Sequence, residues 1–458
     1  MPLDTTPDFV VPVAREPRWL SILAVPAISA SRLAIFRAIL GFAFLLILLY
    51  DPIRAIPREV QHAYSPLADA AWVHAVGAST AATLALQLIG CAAATAFALG
   101  VRARISYVTL VAVLLVHTFV LLLRRGVHDW DLPIVTLIAL ILVPWGDAPP
   151  LWQLGRARRD GATEVSPAYG FAIWLPGFTI GLAFAAAAYA KLHRSGLEWV
   201  TGGAVRYHFV DDGRNAPFTL GLWVATHPRV AVVLALAAVL VETLFILVVV
   251  ARGWRARAAI GLAGFGLMAG FFVFQGVYWF PWLILFTAFL PWNRGIDGPR
   301  GPVSSARRCL TPLHAVVLIV LVSAQVYASY RAIEIEPLLT NFPMYSITYQ
   351  SPEHFERSRE QLLFEAGGVD ITDHVREAMG AATLEAIARQ PAQAGGPGGE
   401  LSAALAEFRA RYTMLYGACP PSIDVLLLRK NPFDWQAGRY LPEMRERLGT
   451  VRLSERPL

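Results

Sequence analysis

Lysine is nearly missing from this chain. Of 39 basic residues in 458, only Lys191 and Lys430 are lysines, and the other 37 are arginines. Charge of either sign is scarce: 16% of residues are charged and 56% are hydrophobic. A soluble globular chain usually carries about a quarter charged residues, so an ordinary soluble domain is excluded. Cysteine is limited to Cys91 in an apolar stretch, Cys309 in a basic loop and Cys419 in the tail. Three cysteines cannot all pair, and none stands in a CxxC or Cys/His spacing, so no metal is predicted. Basic patches interleaved with aromatics are lacking, which excludes nucleic acid as a partner despite a net charge of +6. Nucleophile triads, P-loops and zincin motifs are missing too.

What is present is apolar length. Nine blocks read as spanning helices, at about 31–50, 78–100, 105–123, 131–146, 168–192, 228–251, 256–274, 277–292 and 312–333. Most approach the roughly 20 residues that a bilayer core demands; the fourth and eighth are short, and the seventh runs almost into the eighth. No small-residue cleavage site follows the first block, so it reads as a retained helix. Trp130, Trp145, Trp152, Trp199, Trp254 and Trp292 sit at block ends and read as interfacial anchors in the bilayer, the predicted partner.

Loop arginines predict orientation. Arg15, Arg18, Arg102, Arg104, Arg156, Arg158, Arg159, Arg252, Arg255, Arg257, Arg294, Arg300, Arg307 and Arg308 fall on one side, 14 in all. Arg54, Arg58, Arg124, Arg125, Arg194, Arg206 and Arg214 make seven on the other. The bias puts the segment 1–30 in the cytoplasm of a bacterial-type cell membrane. With nine spans, the loop after Lys191 and the C-terminus lie outside. From about residue 334 apolar runs shorten and charges mix. NFPMYSITYQ (341–350) reads as extended, 392–399 as a flexible linker, 400–417 as an amphipathic helix and SIDVLLLRK (422–430) as a strand. The predicted fold is an all-α polytopic membrane bundle over 31–333, of about nine transmembrane helices. A small C-terminal α+β domain over 334–458 is expected on the outer face, offering a surface to a protein substrate or partner.

Lys191 ends an apolar helix in AYAKLHRSGLEWVTGGAVRYHF (188–209). A lysine there commonly snorkels to the interface. Arginine anchors equally well and fills nearly every other cationic position in the chain. It cannot shed its proton at accessible pH, whereas a desolvated lysine can become a neutral base. Glu242 lies mid-helix in AVLVETLFILVV, where a carboxylate must be paired, protonated or wet. It reads either as a tie between helices or as a proton relay and counter-ion for a base such as Lys191. Arg37, in LAIFRAILG, is buried by position and is another possible partner for Glu242. His117 reads as a satisfied core histidine. In GVHDWD (126–131), His128, Asp129 and Asp131 gather at a helix end at the predicted depth of Lys191, as a polar cap or as a substrate or proton site.

LAIFRAILG (33–41), ALGVRARIS (98–106), AKLHRSGLEWVTG (190–202) and YWFPWLILFTAFLP (278–291) stand in the order and spacing of a known family. In these motifs, over roughly 31–292, the chain resembles the HTTM (horizontally transferred transmembrane) family. That family includes vitamin K-dependent γ-glutamyl carboxylase. The resemblance implies that Lys191 matches a base that deprotonates a quinol, in a motif completed by Leu192, Trp199 and Gly202. It implies a reduced isoprenoid quinone as cofactor, with oxygen and carbon dioxide if the chemistry is carboxylase-like. Glu242 matches an acidic residue common in the sixth helix. The chain departs from the carboxylase in three places: a spacer about three residues longer between Lys191 and Trp199, Asp131 or Leu132 where the family has a histidine, and no histidine within 264–279.

The expected function is therefore lysine-base chemistry on a quinol or other lipophilic substrate at the outer membrane face. Glu242 and Arg37 would tune charge, and His128 or Asp131 would contact substrate. A proton- or solute-coupled transporter using Glu242 and Arg37 is the alternative from a different class, and a non-catalytic membrane scaffold is the third.

Overall fold

The computed structural model describes residues 23–51, 53, 65–123, 125–155, 165–292, 311–340, 342, 345–378 and 400–453. Outside them lie Cys309, the linker 392–399 and most of the arginines used for orientation: Arg15, Arg18, Arg54, Arg58, Arg124, Arg156, Arg158, Arg159, Arg294, Arg300, Arg307 and Arg308. The chain forms two compact units: Met1–Gly221 with Arg229–Thr348, and Leu222–Pro228 with Tyr349–Leu458.

The first unit is helical. α1 (Ala30–Tyr50) starts at Ser29, whose hydroxyl accepts from the Arg32 N–H. α2 (Thr80–Leu99) stops at Gly100, whose φ of 87° suits the left-handed cap. α3 (Ala103–Leu121) follows, then α4 (His128–Ala139). α5 (Pro167–Ser195) is capped by Ser166, with Pro167 in its first turn. α6 (Pro228–Leu244), α7 (Trp254–Gly270), α8 (Phe280–Leu285) and α9 (Pro312–Arg331) complete the set. A two-residue ladder, β1 (Ile28–Ser29) with β2 (Val165–Ser166), ties the starts of α1 and α5 together. The apolar stretch of α5 is 83% buried, against 22% for those of α7 and α9. α5 is thus the most enclosed of the three, and the other two leave most of their residues unburied.

Among the described residues, seven helices are long and apolar enough to cross a membrane, or eight if the bent pair His128–Leu142 and Trp145–Gln153 counts as one span. Nine is not reached on length. The block at 131–146 breaks by 67°, and 277–292 holds only the short apolar helix Phe280–Phe289. Even so, Trp279 lies in a cavity wall with Lys191, while Trp292 packs edge-on against Phe36 near the start of α1.

Four of the six tryptophans expected as interfacial anchors are enclosed by protein. Trp130, Trp145, Trp199 and Trp292 are buried, and only Trp152 is exposed; Trp254 is intermediate. Trp145 packs on Phe36, Phe97 and Tyr107, Trp130 on Phe44 and His117, and Trp292 on Phe36, so these rings hold the bundle together through ring-to-ring contacts. Arg257, taken as a loop residue, is buried as well and donates to the Ile173 carbonyl at 3.0 Å.

The second unit is α+β. Its four-stranded antiparallel sheet runs β6-β5-β3-β4, from β3 (Glu360–Ala366), β4 (Val369–Asp370), β5 (Ser422–Arg429) and β6 (Met444–Arg452). Phe408 and Tyr412 of α10 (Glu400–Tyr416) pack on Phe364, Ile423, Val425 and Val451. The helix and strand expected at 400–417 and 422–430 both form. Residues 334–348 belong instead to the helical unit. Tyr345 there has φ of 58°, so the expected extended reading fails at that turn. Asn341, Pro343 and Met344 of the same stretch lie outside the described residues.

Candidate functional site

Lys191 and Glu242 meet. The Lys191 ammonium donates to Glu242 Oε1 at 2.8 Å and Oε2 at 3.0 Å. Both residues are buried, at 3% and 2% exposure, so this lysine does not snorkel to the headgroups. Its Nζ lies 5.3 Å from the centroid of the Trp199 ring, within cation–π range. Local chain geometry builds this arrangement. α5 ends at Gly196, whose φ of 60° turns the chain back. The short helix Glu198–Thr201 then carries Trp199 over the lysine. Gly202 closes it; a Cβ there would sit 2.8 Å from the Glu198 carbonyl oxygen.

A strap from the stretch after α9 covers this helix end. The Trp199 indole donates to the Tyr345 carbonyl at 2.6 Å, and Ser195 Oγ donates to the Ser346 carbonyl at 2.8 Å. Arg194 donates to Ser346 Oγ at 3.0 Å, and His208 Nε2 donates to the Ile347 carbonyl at 2.9 Å. The Tyr345 hydroxyl is hydrogen-bonded to Asp212. Burial lowers His208 to about 4, helped by the charge of Lys191 and opposed by its bonds to the strap's backbone. Burial raises Asp212 to about 6, against the Tyr345 hydrogen bond.

Two cavities adjoin here. A small one of about 30 Å³ is lined by Lys191, Glu242, Phe271, Trp279, Trp282, Phe342 and Tyr345. The indole N–H groups of Trp279 and Trp282 are buried without a hydrogen-bond partner. Phe342 and Tyr345 have φ of 49° and 58°, left-handed conformations that cost a non-glycine residue energy. Phe271 opens a π-helical turn, Phe271–Gln275, a distortion that often accompanies functional sites. The second cavity, about 1050 Å³, lies between α1, α4 and α8. It shares Trp279 and Tyr345 with the first, and its walls include Leu46, Tyr50, Phe280 and Ile284. Its polar rim holds Asp51, Arg125, His128 and Asp129.

Arg37 is elsewhere. It is fully buried, but its guanidinium donates to the Ala148 and Pro149 carbonyls at 2.9 and 2.8 Å. It lies in the second turn of α1, whose start is laddered to the start of α5. Lys191 is 24 residues along α5 (191 − 167), roughly 36 Å at 1.5 Å per residue. The pairing considered for Arg37 and Glu242 is therefore corrected: Arg37 fastens the loop after α4. His117 is in the core as expected, edge-on to Trp130, but neither ring nitrogen has a hydrogen-bond partner.

His128 and Asp131 gather with Glu336, which sequence reasoning missed. His128 Nδ1 lies 2.6 Å from Glu336 Oε1 and 3.7 Å from Asp131 Oδ2. The Val127 N–H donates to Glu336 Oε2 at 2.7 Å. Burial pushes the Glu336 carboxyl up, but the hydrogen bonds from His128 and Val127, with the charges of His128 and Arg125, outweigh it and hold the group below the usual glutamate value. Asp129 is not part of this cluster; it forms a two-point ion pair with Arg125 at 2.9 and 3.2 Å. Tyr345, Phe342, His208 and Asp212 were also missed. The first two lay in a stretch read as part of the outer domain, and no local pattern marks the others.

No protein-family model, curated protein or solved structure matches this chain.

Proposed function

We propose that this protein is an integral-membrane enzyme of the HTTM type. In this reading Lys191 is the base toward a quinol or another lipophilic substrate bearing an acidic hydroxyl. The observation that carries the proposal is the burial of the one membrane-embedded lysine beside Glu242, in a cavity whose walls hold two unpaired indole donors.

The chemistry follows from the pair. In a dry site a lysine and a glutamate can hold one proton in common, since keeping opposite charges apart from water is expensive. With the proton on Glu242, the amine of Lys191 is free to accept another from a hydroxyl in the cavity. The ammonium so formed, with the Trp279 and Trp282 N–H groups, would steady the oxygen left behind. Trp199 holds the lysine in place through its ring. The larger cavity suits an isoprenoid tail, and its shared walls would bring a headgroup to Lys191. A bound quinol would supply the acidic hydroxyl and the reducing equivalents for oxygen. His128 on the rim would meet the more polar part of a substrate, whereas Arg37 has no place in this reading.

The same reading has the chain cross the bilayer nine times, with the N-terminus cytoplasmic and the base near the outer face. Residues 128–145 run from the Glu336 cluster to Phe36, which stacks on Trp145, and 279–292 run from the lysine cavity to the same phenylalanine. Short or broken helices are tolerated at membrane depth when buried in protein.

Two measurements test the function. Mass spectrometry of lipid co-purified with the protein is expected to find a quinone near one per chain. Oxygen uptake with a short-chain quinol is expected to fall about 100-fold or more in Lys191→Met and Lys191→Arg. Equal rates in wild type, Lys191→Met, Lys191→Arg and Lys191→His would exclude base chemistry.

A further inference from the structure

We propose that His128, Asp131 and Glu336 form a binding site for one divalent transition cation, zinc by preference. Neither Lys191 nor Glu242 is among its ligands, and the site does not rest on the lysine chemistry.

Three ligand-type side chains converge on one point. One atom from each, a histidine nitrogen and two carboxylate oxygens, lies within 4.8 Å of the others. His128 and Asp131 are one turn apart on α4 and so share a face. Glu336 arrives from the turn after α9, and its second oxygen is fixed by the Val127 N–H, the kind of outer support that orients a metal ligand.

The independent sign of a ligand is Asp131. It is 1% exposed, yet neither carboxylate oxygen has a hydrogen-bond partner. Buried carboxylates are normally satisfied, because water has been given up and nothing else offsets the charge. His128 Nδ1 lies 3.7 Å from Asp131 Oδ2, beyond hydrogen-bond reach, and is spent on Glu336. Arg125 is likewise engaged by Asp129. Once His128 gives up the proton it shares with Glu336, a neutral imidazole with two carboxylates carries two negative charges, which one dication cancels.

The donor set selects the metal. One imidazole and two carboxylates without thiolate suit zinc, manganese or iron(II), and zinc binds most tightly of these. Three protein ligands leave a position open, as at catalytic rather than structural zinc. His128 is 40% exposed on its side chain and lines the large cavity, which gives the ion a way in and the open position a way out to a ligand. With ligands at about 2.0–2.1 Å, tetrahedral donors sit about 3.3 Å apart. The His128–Glu336 contact of 2.6 Å then opens by less than an ångström as the cation replaces the shared proton.

The test uses full-length, tag-free protein, stripped with chelator and then titrated with zinc chloride and with manganese chloride. One zinc per chain is expected to survive desalting and to raise Tm. His128→Gln and Asp131→Asn are each expected to weaken zinc binding about 100-fold or more, with Lys191→Met leaving it unchanged. Failure of wild type to retain either metal overturns the proposal. So does undiminished binding in Asp131→Asn, whose shape is preserved. Should the variants not fold, cobalt bound to wild type decides: d–d bands alone support the site, and a thiolate charge-transfer band assigns the metal to cysteine and overturns it.

Discussion

Removing one half of the Lys191–Glu242 pair strands the other half in an apolar bundle. Lys191→Met is expected to destabilise the protein by about 3–5 kcal/mol, and the double change Lys191→Met with Glu242→Leu to recover most of it. A double-mutant cycle on denaturation in detergent reads the coupling; additive losses would mean the two groups are not paired. His208 supplies a pH signature. Its folded value of about 4 lies below the ordinary 6.5, so the unfolded chain takes up the proton first as pH falls. Stability from this group is complete above about 6.5 and is lost toward 4, by up to about 3 kcal/mol. His208→Gln should flatten that acid loss in a series of Tm against pH. Asp212 runs the other way: its value of about 6 lies above 3.8, so its contribution is complete below 3.8 and declines as pH rises to 6. Asp212→Asn should therefore steepen the net acid loss. At this scale the sequence exposed Lys191 by the rarity of its type and Glu242 by its apolar surroundings. That they hold each other, and that Arg37 holds backbone carbonyls instead, depends on where three helices come to lie.

Helices approach closely where a side chain is missing. A Cβ on Gly41 of α1 would meet the Ala98 backbone nitrogen and Cα of α2 at 2.8 and 2.9 Å. Backbone cannot swing aside, so Gly41→Ala should cost about 1–3 kcal/mol by forcing the helices apart, measured as a fall in Tm. An unchanged Tm would mean that α1 and α2 are not in such contact. Thr136 and Thr179, hydrogen-bonded at 2.8 Å, tie α4 to α5 in the same region of the bundle as the Asp131 cluster. Seven long blocks were legible from apolar length alone, because a bilayer imposes that length. The two doubtful segments, 131–146 and 277–292, are short in the structure too. Their burial within the bundle explains why they need no full-length helix, and no local pattern announces that burial.

The division into units makes a prediction about the whole chain. A stop after Thr348 removes the C-terminal unit apart from Leu222–Pro228 but keeps the strap, and the bundle is expected to purify as a monodisperse species. A stop after Ile333 also removes Glu336, Phe342 and Tyr345, and with them the cover of the lysine cavity. That shorter chain is expected to lose several degrees of Tm relative to the first; equal stability would mean the strap adds nothing. Composition settled by itself that this chain lives in a bilayer, where its apolar blocks run, and that its tail has a different character, since those properties depend on local hydropathy. It also picked out Lys191, Glu242, His128 and Asp131, whose charges are out of place in apolar surroundings. Only the tertiary structure decided that Glu242 belongs to Lys191, that Glu336 completes the His128–Asp131 cluster 209 positions downstream of Val127, and that Tyr345 closes the cavity. Contacts between distant segments are fixed by how whole helices pack, and that packing is a property of the assembled bundle, which no window of sequence contains.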